Sequence, residues 1–230
     1  MFGTPAVSAP DDIRPLLIAG GLSSRMGTAK HLLPCIDGRP LYQHTLEHLH
    51  GACPSVGTLY MSLRDESQLP SLALDNLILA SARIQPLYDS ASDISHAGSS
   101  STVSAGPAAG LLAAYAFSPT TTWVVAGCDY PLLTTSALQQ LIQEYAPPVT
   151  CFSNAEGWCE PLLAIWSPVA LKHLKDNVIQ GRLGPSTVIR NIGGKVVRPK
   201  DESWVLGANT RAEWDKAMET AKARKTCQLP

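Results

Sequence analysis

Short apolar, β-prone runs at residues 14–19, 56–63, 84–88 and 122–126 alternate along the chain with longer stretches whose apolar residues recur at helical spacing. Parallel strands need a crossover long enough to be a helix, so this alternation predicts an α/β fold with a mostly parallel sheet flanked by helices. The helical stretches are residues 40–50, 65–79, 107–117, 134–145, 168–177 and 210–223. The last is the best marked, because Thr210 and Glu213 form a T-x-x-E capping box ahead of Trp214, Met218 and Ala221. A length of 230 residues suits a single domain with a sizeable core.

Within that domain, taken as residues 13–224, residues 90–105 read as a mobile loop. They are rich in Ser, Ala and Gly and bury too little to offset the cost of ordering them. A plain surface insertion and an active-site lid both fit. Residues 1–12 read as a flexible extension without the apolar core of a signal peptide, and 225–230 as a tail, so a cytoplasmic location is expected. With 18 Lys+Arg against 19 Asp+Glu, the chain carries no global charge suited to nucleic acid or membrane; phosphate binding has to be local. The six cysteines contain no C-x-x-C pair and are read as reduced and structural.

The most informative stretch is LLIAGGLSSRMGTAKHLL, residues 16–33. A buried-type strand runs through Ala19 into Gly20 and Gly21, whose bare backbone lets a nucleotide approach and turns N–H groups toward phosphate oxygens. Arg25 then offers a planar guanidinium fork and Lys30 a compact charge. Neither the G-x-x-x-x-G-K-[ST] phosphate loop nor the G-x-G-x-x-G dinucleotide fingerprint is present. The combination G-G-x-S-S-R-M-G-x-x-K after a strand resembles the signature of the MobA-like NTP transferases, which include the molybdenum cofactor guanylyltransferases and their cytidylyltransferase relatives. That resemblance implies a single-domain, Rossmann-like fold of the nucleotide-diphospho-sugar-transferase type.

The likeness continues in order over roughly residues 13–215. Asp37-Gly38-Arg39-Pro40-Leu41 looks like the family's turn after the lysine, and Asp-Gly is a tight-turn signal in its own right. Gly106-Pro107-Ala108-Ala109-Gly110 opens a helix whose N-terminus suits a nucleotide, although an ordinary helix start reads the same way. Residues 124–131, VVAGCDYP, deliver Asp129 at the C-terminal end of a buried-type strand, where open α/β sheets place ligands. Mg²⁺ takes one or two protein carboxylates and completes its shell with water and phosphates, so Asp129 is the candidate metal ligand. The family carries a second aspartate before the G-P-x-A-G helix; Asp89 stands there, with Asp93 as rival.

On the acceptor side, Glu160-Pro161-Leu162-Leu163-Ala164-Ile165-Trp166 resembles a family strand and Gly181-Arg182 the basic element after it. Gly207-Ala208-Asn209-Thr210 matches the family's N-x-N-T only in its second half, with Gly207 in place of the first asparagine. His44-Thr45-Leu46-Glu47-His48 fits H-x-x-E-H, a zinc-hydrolase spacing, but no third ligand is identifiable and the pair reads as solvated helix histidines.

The resemblance implies an Mg²⁺-dependent transfer of GMP from GTP to the phosphate of molybdopterin. Nucleotide contacts would come from Ala19, Gly20, Gly21, Arg25, Lys30, Asp89, Gly106, Pro107 and Gly110. Arg25, Lys30 and Asp129 would be the catalytic set, and Glu160, Arg182 and Asn209 would face the acceptor. Ile18-Ala19-Gly20-Gly21 matches the guanylyl enzymes' L-A-G-G more closely than the cytidylyl enzymes' L-A-A-G. A molybdoenzyme or cofactor-delivery protein is the implied partner. Two alternatives stay open: a cytidylyl or other NTP transferase with a different phosphorylated acceptor, and a non-catalytic nucleotide-binding accessory protein.

Overall fold

A computed structural model describes residues 13–21, 28–72, 82–89 and 106–227. Seven strands form one sheet: β1 Ile13–Ile18, β2 Thr58–Leu63, β3 Arg83–Tyr88, β4 Thr122–Gly127, β5 Val149–Ser153, β6 Cys159–Trp166 and β7 Lys195–Val197, in the order β3-β2-β1-β4-β6-β5-β7. The first four run parallel, with β1 paired to β4 from Ile13↔Thr122 to Ile18↔Gly127. β6 is antiparallel to both β4 and β5, while β7 pairs parallel to β5. All six residues of β4 are buried, as a central strand covered on both faces requires.

The helices are α1 Leu41–Ala52, α2 Pro107–Phe117, α3 Thr135–Gln143, α4 Pro168–Ile179, α5 Pro185–Asn191 and α6 Arg211–Cys227. α1 packs with α3 on one face; on the other, α2 packs with α4 and α4 with α5. The switch of face follows from the right-handed crossover rule: the chain winds leftward from β1 to β2 and rightward from β3 to β4. Trp123, Trp166, Tyr42 and Phe152 are the largest fully buried side chains of the core. No helix among the described residues is long and apolar enough to cross a membrane.

The capping box at α6 forms in full. Thr210 Oγ1 accepts from Glu213 N at 3.3 Å, and Glu213 Oε2 accepts from Thr210 N at 2.9 Å and from Asn209 N. The Asp-Gly signal is a hairpin turn: Gly38, at φ 83°, donates to Cys35 O at 2.9 Å, and Cys35 N donates to Arg39 O at 2.8 Å.

Three differences from the sequence reading have physical causes. The helix expected over 65–79 is a short 3₁₀ helix at Glu66–Ser71, where Pro70 withholds an amide donor; residues 73–81 lie outside the described part. α5 is too short for a periodic signal, and β5 and β7 are a short strand and a three-residue edge. The H-x-x-E-H histidines are partnered and half-buried rather than freely solvated: His44 Nε2 is 2.9 Å from Asp37 Oδ1 at the surface, and His48 Nδ1 is 3.2 Å from Thr135 Oγ1 on α3. The expected loop at 90–105 and the residues 1–12 lie outside the described part, as do 228–230 of the tail.

Candidate active site

The sequence candidates gather on the C-terminal edge of the parallel strands, where β1 and β4 end side by side. Ala19 leaves β1 buried, its amide donating to Ser62 O at 2.9 Å. Gly20 is required by close approach: a Cβ there would stand 2.9 Å from the Arg64 amide nitrogen. Gly21 is exposed. Arg25 falls within residues 22–27 and so outside the described part. The chain returns at Thr28, and Lys30 opens a 3₁₀ helix over Lys30–Leu32. Its Nζ donates to Asn209 Oδ1 at 2.6 Å, across 179 positions of sequence. The Glu213 cap that holds the Asn209 amide therefore also fixes the acceptor of the lysine's bond.

Asp129 lies two residues past β4. Its backbone oxygen accepts from Ala208 N at 2.7 Å, which pins the 207–209 segment beside it. Burial pushes its carboxyl pKa up; the Lys30 charge and its own backbone pull it down, and Glu160 pushes it up again. Asp129 Oδ1 is sealed from solvent and has no hydrogen-bond partner among the described residues. A buried carboxylate oxygen left without a donor is costly unless a cation completes it, so the residue fits a divalent metal. No cluster of three or more His, Cys, Asp or Glu accompanies it among the described residues. A lone carboxylate of this kind can hold a divalent cation that completes its shell with water and phosphate oxygens.

Toward the other edge, Asp89 closes β3, its amide bonded to Leu63 O at 3.0 Å. Its carboxyl accepts from Ser62 Oγ at 3.3 Å and its pKa is pushed up to about 6, chiefly by burial. Asp93 lies outside the described residues. Gly110, buried in α2, sits over the ends of β1 and β2: a Cβ would meet Ser62 Oγ at 2.5 Å and Ile18 Cδ1 at 2.7 Å. This contact seats the first turn of α2, with Gly106 and Pro107 exposed, above the edge near Gly20. Asp89 and Asp129 end strands three places apart, about 14 Å at ordinary strand spacing.

On the side away from Asp89, Glu160 opens β6 next to Asp129. Its Oε2 accepts from Tyr130 Oη at 2.7 Å and its Oε1 from Asn154 Nδ2 at 3.1 Å. A register shift between Cys151 and Phe152 sets Glu160 opposite Phe152 and re-aims this end of β6. Cys159 turns to the other face, its Sγ 3.9 Å from Ser186 O in α5. Arg182, in the connection before α5, bonds Asn177 Oδ1 at 3.1 Å and Gln180. Lys30, Asp129, Asn209 and Glu160 are thus brought together, and Arg182 is tied to the end of α4. Sequence reasoning passed over Tyr130, Ser62 and Asn154. Tyr130 stood inside the Asp129 motif, whereas nothing local ties Asn154 to Glu160.

The family model of the MobA-like NTP transferase domain matches residues 15–196. A molybdenum cofactor guanylyltransferase of Cupriavidus taiwanensis is 32% identical over 174 residues, covering 72% of this chain and 76% of that one. Among solved structures, molybdopterin-guanine dinucleotide biosynthesis protein A of Archaeoglobus fulgidus superposes with a TM-score of 0.65 at 22% identity, over 91% of this chain and 99% of that one. A CMP:2-keto-3-deoxy-manno-octonic acid synthetase complexed with CTP does so with a TM-score of 0.63 at 13% identity, over 93% and 99%, which is a likeness of fold. With a glycine-paired turn, a lysine and a strand-end aspartate meeting on one sheet edge, and with that match along most of its length, the chain belongs to the MobA-like NTP transferase family and is a nucleotidyltransferase.

Proposed function

We propose that the chain transfers GMP from GTP, with Mg²⁺, to the terminal phosphate of a molybdopterin-type acceptor, releasing pyrophosphate and forming the guanine dinucleotide cofactor. The carrying observation is the order of groups along one sheet edge. Asp89 and Ser62 lie at one end, Gly20 and Gly21 with the α2 N-terminus come next, Lys30 and Asp129 follow, and Glu160 stands beyond. A nucleoside triphosphate laid along that edge puts its base near Asp89 and its phosphates between Lys30 and Asp129, which leaves the β6 side for the acceptor.

The reaction forms one P–O bond and breaks another. An oxygen of the acceptor phosphate attacks the α-phosphorus, and the bond to the bridging oxygen of the leaving pyrophosphate breaks with its electron pair. A phosphate monoester is largely dianionic near neutrality, its second pKa being about 6, so the nucleophile needs no strong protein base. Positioning and charge neutralisation remain as the protein's contribution. Gly20 and Gly21 present backbone N–H groups to the nucleotide. Lys30, held by Asn209, stabilises charge gathering on pyrophosphate, with Arg25 as a second cation. Mg²⁺ on Asp129 would supply Lewis-acid polarisation of the phosphate oxygens.

A panel of NTPs with molybdopterin, read by pyrophosphate release, tests the reading. GTP should be the preferred donor. Faster turnover of CTP would overturn the base assignment, and tight GTP binding without pyrophosphate release would favour an accessory protein.

A further inference from the structure

Trp158 is 61% exposed, whereas Trp123, Trp166, Trp204 and Trp214 are all buried. We propose that Trp158 is the platform on which the planar heterocyclic ring of the acceptor stacks, an inference that rests on the acceptor-side reading above.

The hairpin that carries Trp158 is fixed by its own bonds. Asn154 N donates to Trp158 O at 2.9 Å, Gly157 N donates to Asn154 O at 3.0 Å, and Gly157 takes φ 83° as the left-handed residue such a turn needs. Asn154 Oδ1 accepts from Trp158 N at 3.0 Å, and the same side chain's Nδ2 donates to Glu160 Oε1. Glu160 is in turn bound by Tyr130, the neighbour of Asp129. A chain of hydrogen bonds from the Trp158 main chain through Asn154 and Glu160 to Tyr130 therefore sets this turn relative to the segment that carries Asp129.

Position along the chain supplies the direction. Trp158 immediately precedes β6, two residues and about 7 Å of extended chain from Glu160, while Cys159 between them faces α5. Phe152, directly opposite Glu160, packs on Trp204, with ring centroids 6.4 Å apart. From Trp204 the chain passes through Leu206, 51% exposed, to Gly207, where a Cβ would lie 3.8 Å from Asp129 O. Two exposed apolar side chains, Trp158 and Leu206, thus stand on segments tied to Glu160 and to Asp129, on the side of Asp129 away from Asp89. A molecule with a phosphate at one end and a fused planar ring at the other matches this pattern. An indole face gives a ring stacking energy without demanding a hydrogen-bond code.

The experiment uses the full chain with Mg²⁺, GTP and molybdopterin, comparing wild type, Trp158→Ala and Trp158→Phe. Trp158→Ala should raise the KM for the acceptor by about tenfold, the scale of one lost ring stack, with the KM for GTP held within about twofold; Trp158→Phe should recover most of the loss. Because the other tryptophans are buried, acrylamide quenching of wild-type emission reports Trp158, and a pterin monophosphate alone should protect it. An unchanged acceptor KM in Trp158→Ala, or quenching indifferent to the pterin monophosphate, overturns the platform. If the wild type turns over no molybdopterin with any NTP, the functional reading fails instead. The quenching measurement, run with a pterin monophosphate and no NTP, still decides whether Trp158 holds a planar ring.

Discussion

Lys30 Nζ and Asn209 Oδ1 meet at 2.6 Å, and through them the 3₁₀ helix at Lys30–Leu32 is tied to the cap of the last helix. A lysine on a flexible stem gives an ill-placed charge unless something holds it, and here a neutral amide oxygen does so without cancelling the charge. Lys30→Ala is expected to cut turnover by at least about a hundredfold, the scale of one preorganised electrostatic contact. Asn209→Ala keeps the charge and loses only its placement, so a loss of about tenfold is expected. In the double variant the losses should not multiply, since both act through one group. Steady-state pyrophosphate release checks this, and multiplicative losses would separate the two residues.

Asp129 should be equally intolerant, for a different reason. Its Oδ1 has no donor among the described residues, so the carboxylate's charge is the feature that a divalent cation would use. Asp129→Asn is expected to cost at least about a hundredfold in turnover while the fold holds, because the change removes a buried charge rather than adding one. Gly127→Ala reaches the same group from behind: its Cβ would lie 2.5 Å from Asp129 Oδ1, so the carboxylate must move. It should lower turnover by at least about tenfold, since small displacements at a reacting centre are costly. Mn²⁺ titrated into each variant and followed by water-proton relaxation gives the companion readout; wild-type Mn²⁺ affinity in Asp129→Asn would take that residue out of the metal site.

Much of this was legible in the sequence wherever a local pattern had one physical meaning. Gly20 after an apolar run, Asp129 just past a buried strand and the Thr210–Glu213 cap are each announced within a few residues, and the structure has a close backbone approach, a strand end and a capping box at those places. Contacts set by register or by sheet order were not readable. Asn154 reaches Glu160 because the ladder slips between Cys151 and Phe152, and Ser62 reaches Asp89 because β2 and β3 are neighbours. The 65–79 stretch misled because helical spacing outweighed Pro70, whose missing donor leaves only a 3₁₀ turn among the described residues.

Two groups at opposite places in the fold should bend the pH dependence of stability in opposite directions. Asp89 binds its proton more tightly when folded, at about 6 against 3.8, so its contribution is full below 3.8 and is lost as pH rises through about 6. His48 behaves in reverse: burial against α3 lowers it to about 4 from 6.5, so its contribution is present above 6.5 and is lost as pH falls through about 4. Both groups are incompletely buried, so each effect is discounted for screening to about 1–2 kcal/mol. Relative to wild type, Asp89→Asn should make the melting temperature climb more steeply between pH 4 and 6, and His48→Gln should make it climb less. Melting curves parallel to wild type would show that the groups titrate alike folded and unfolded.

Gly110 sets two principles against each other. Replacing a glycine inside a helix with alanine ordinarily stabilises by about 1 kcal/mol, because the unfolded chain has less freedom to lose. Here the new Cβ would stand 2.5 Å from Ser62 Oγ and 2.7 Å from Ile18 Cδ1, and overpacking of a buried contact costs about 1–3 kcal/mol. The isoleucine terminus is able to turn aside, but the serine is fully buried and committed to Asp89, so the clash should win. Gly110→Ala is expected to lower stability by about 1 kcal/mol and the melting temperature by about 2–4 °C, and to weaken nucleotide binding by displacing the serine that holds Asp89. Adding Ser62→Ala removes the hydroxyl from the alanine's path. The double variant should therefore recover the melting temperature while its nucleotide affinity stays low, a split that calorimetry and equilibrium GTP binding will resolve. Recovery of both together would mean that α2 is seated by the helix itself and that the serine holds nothing.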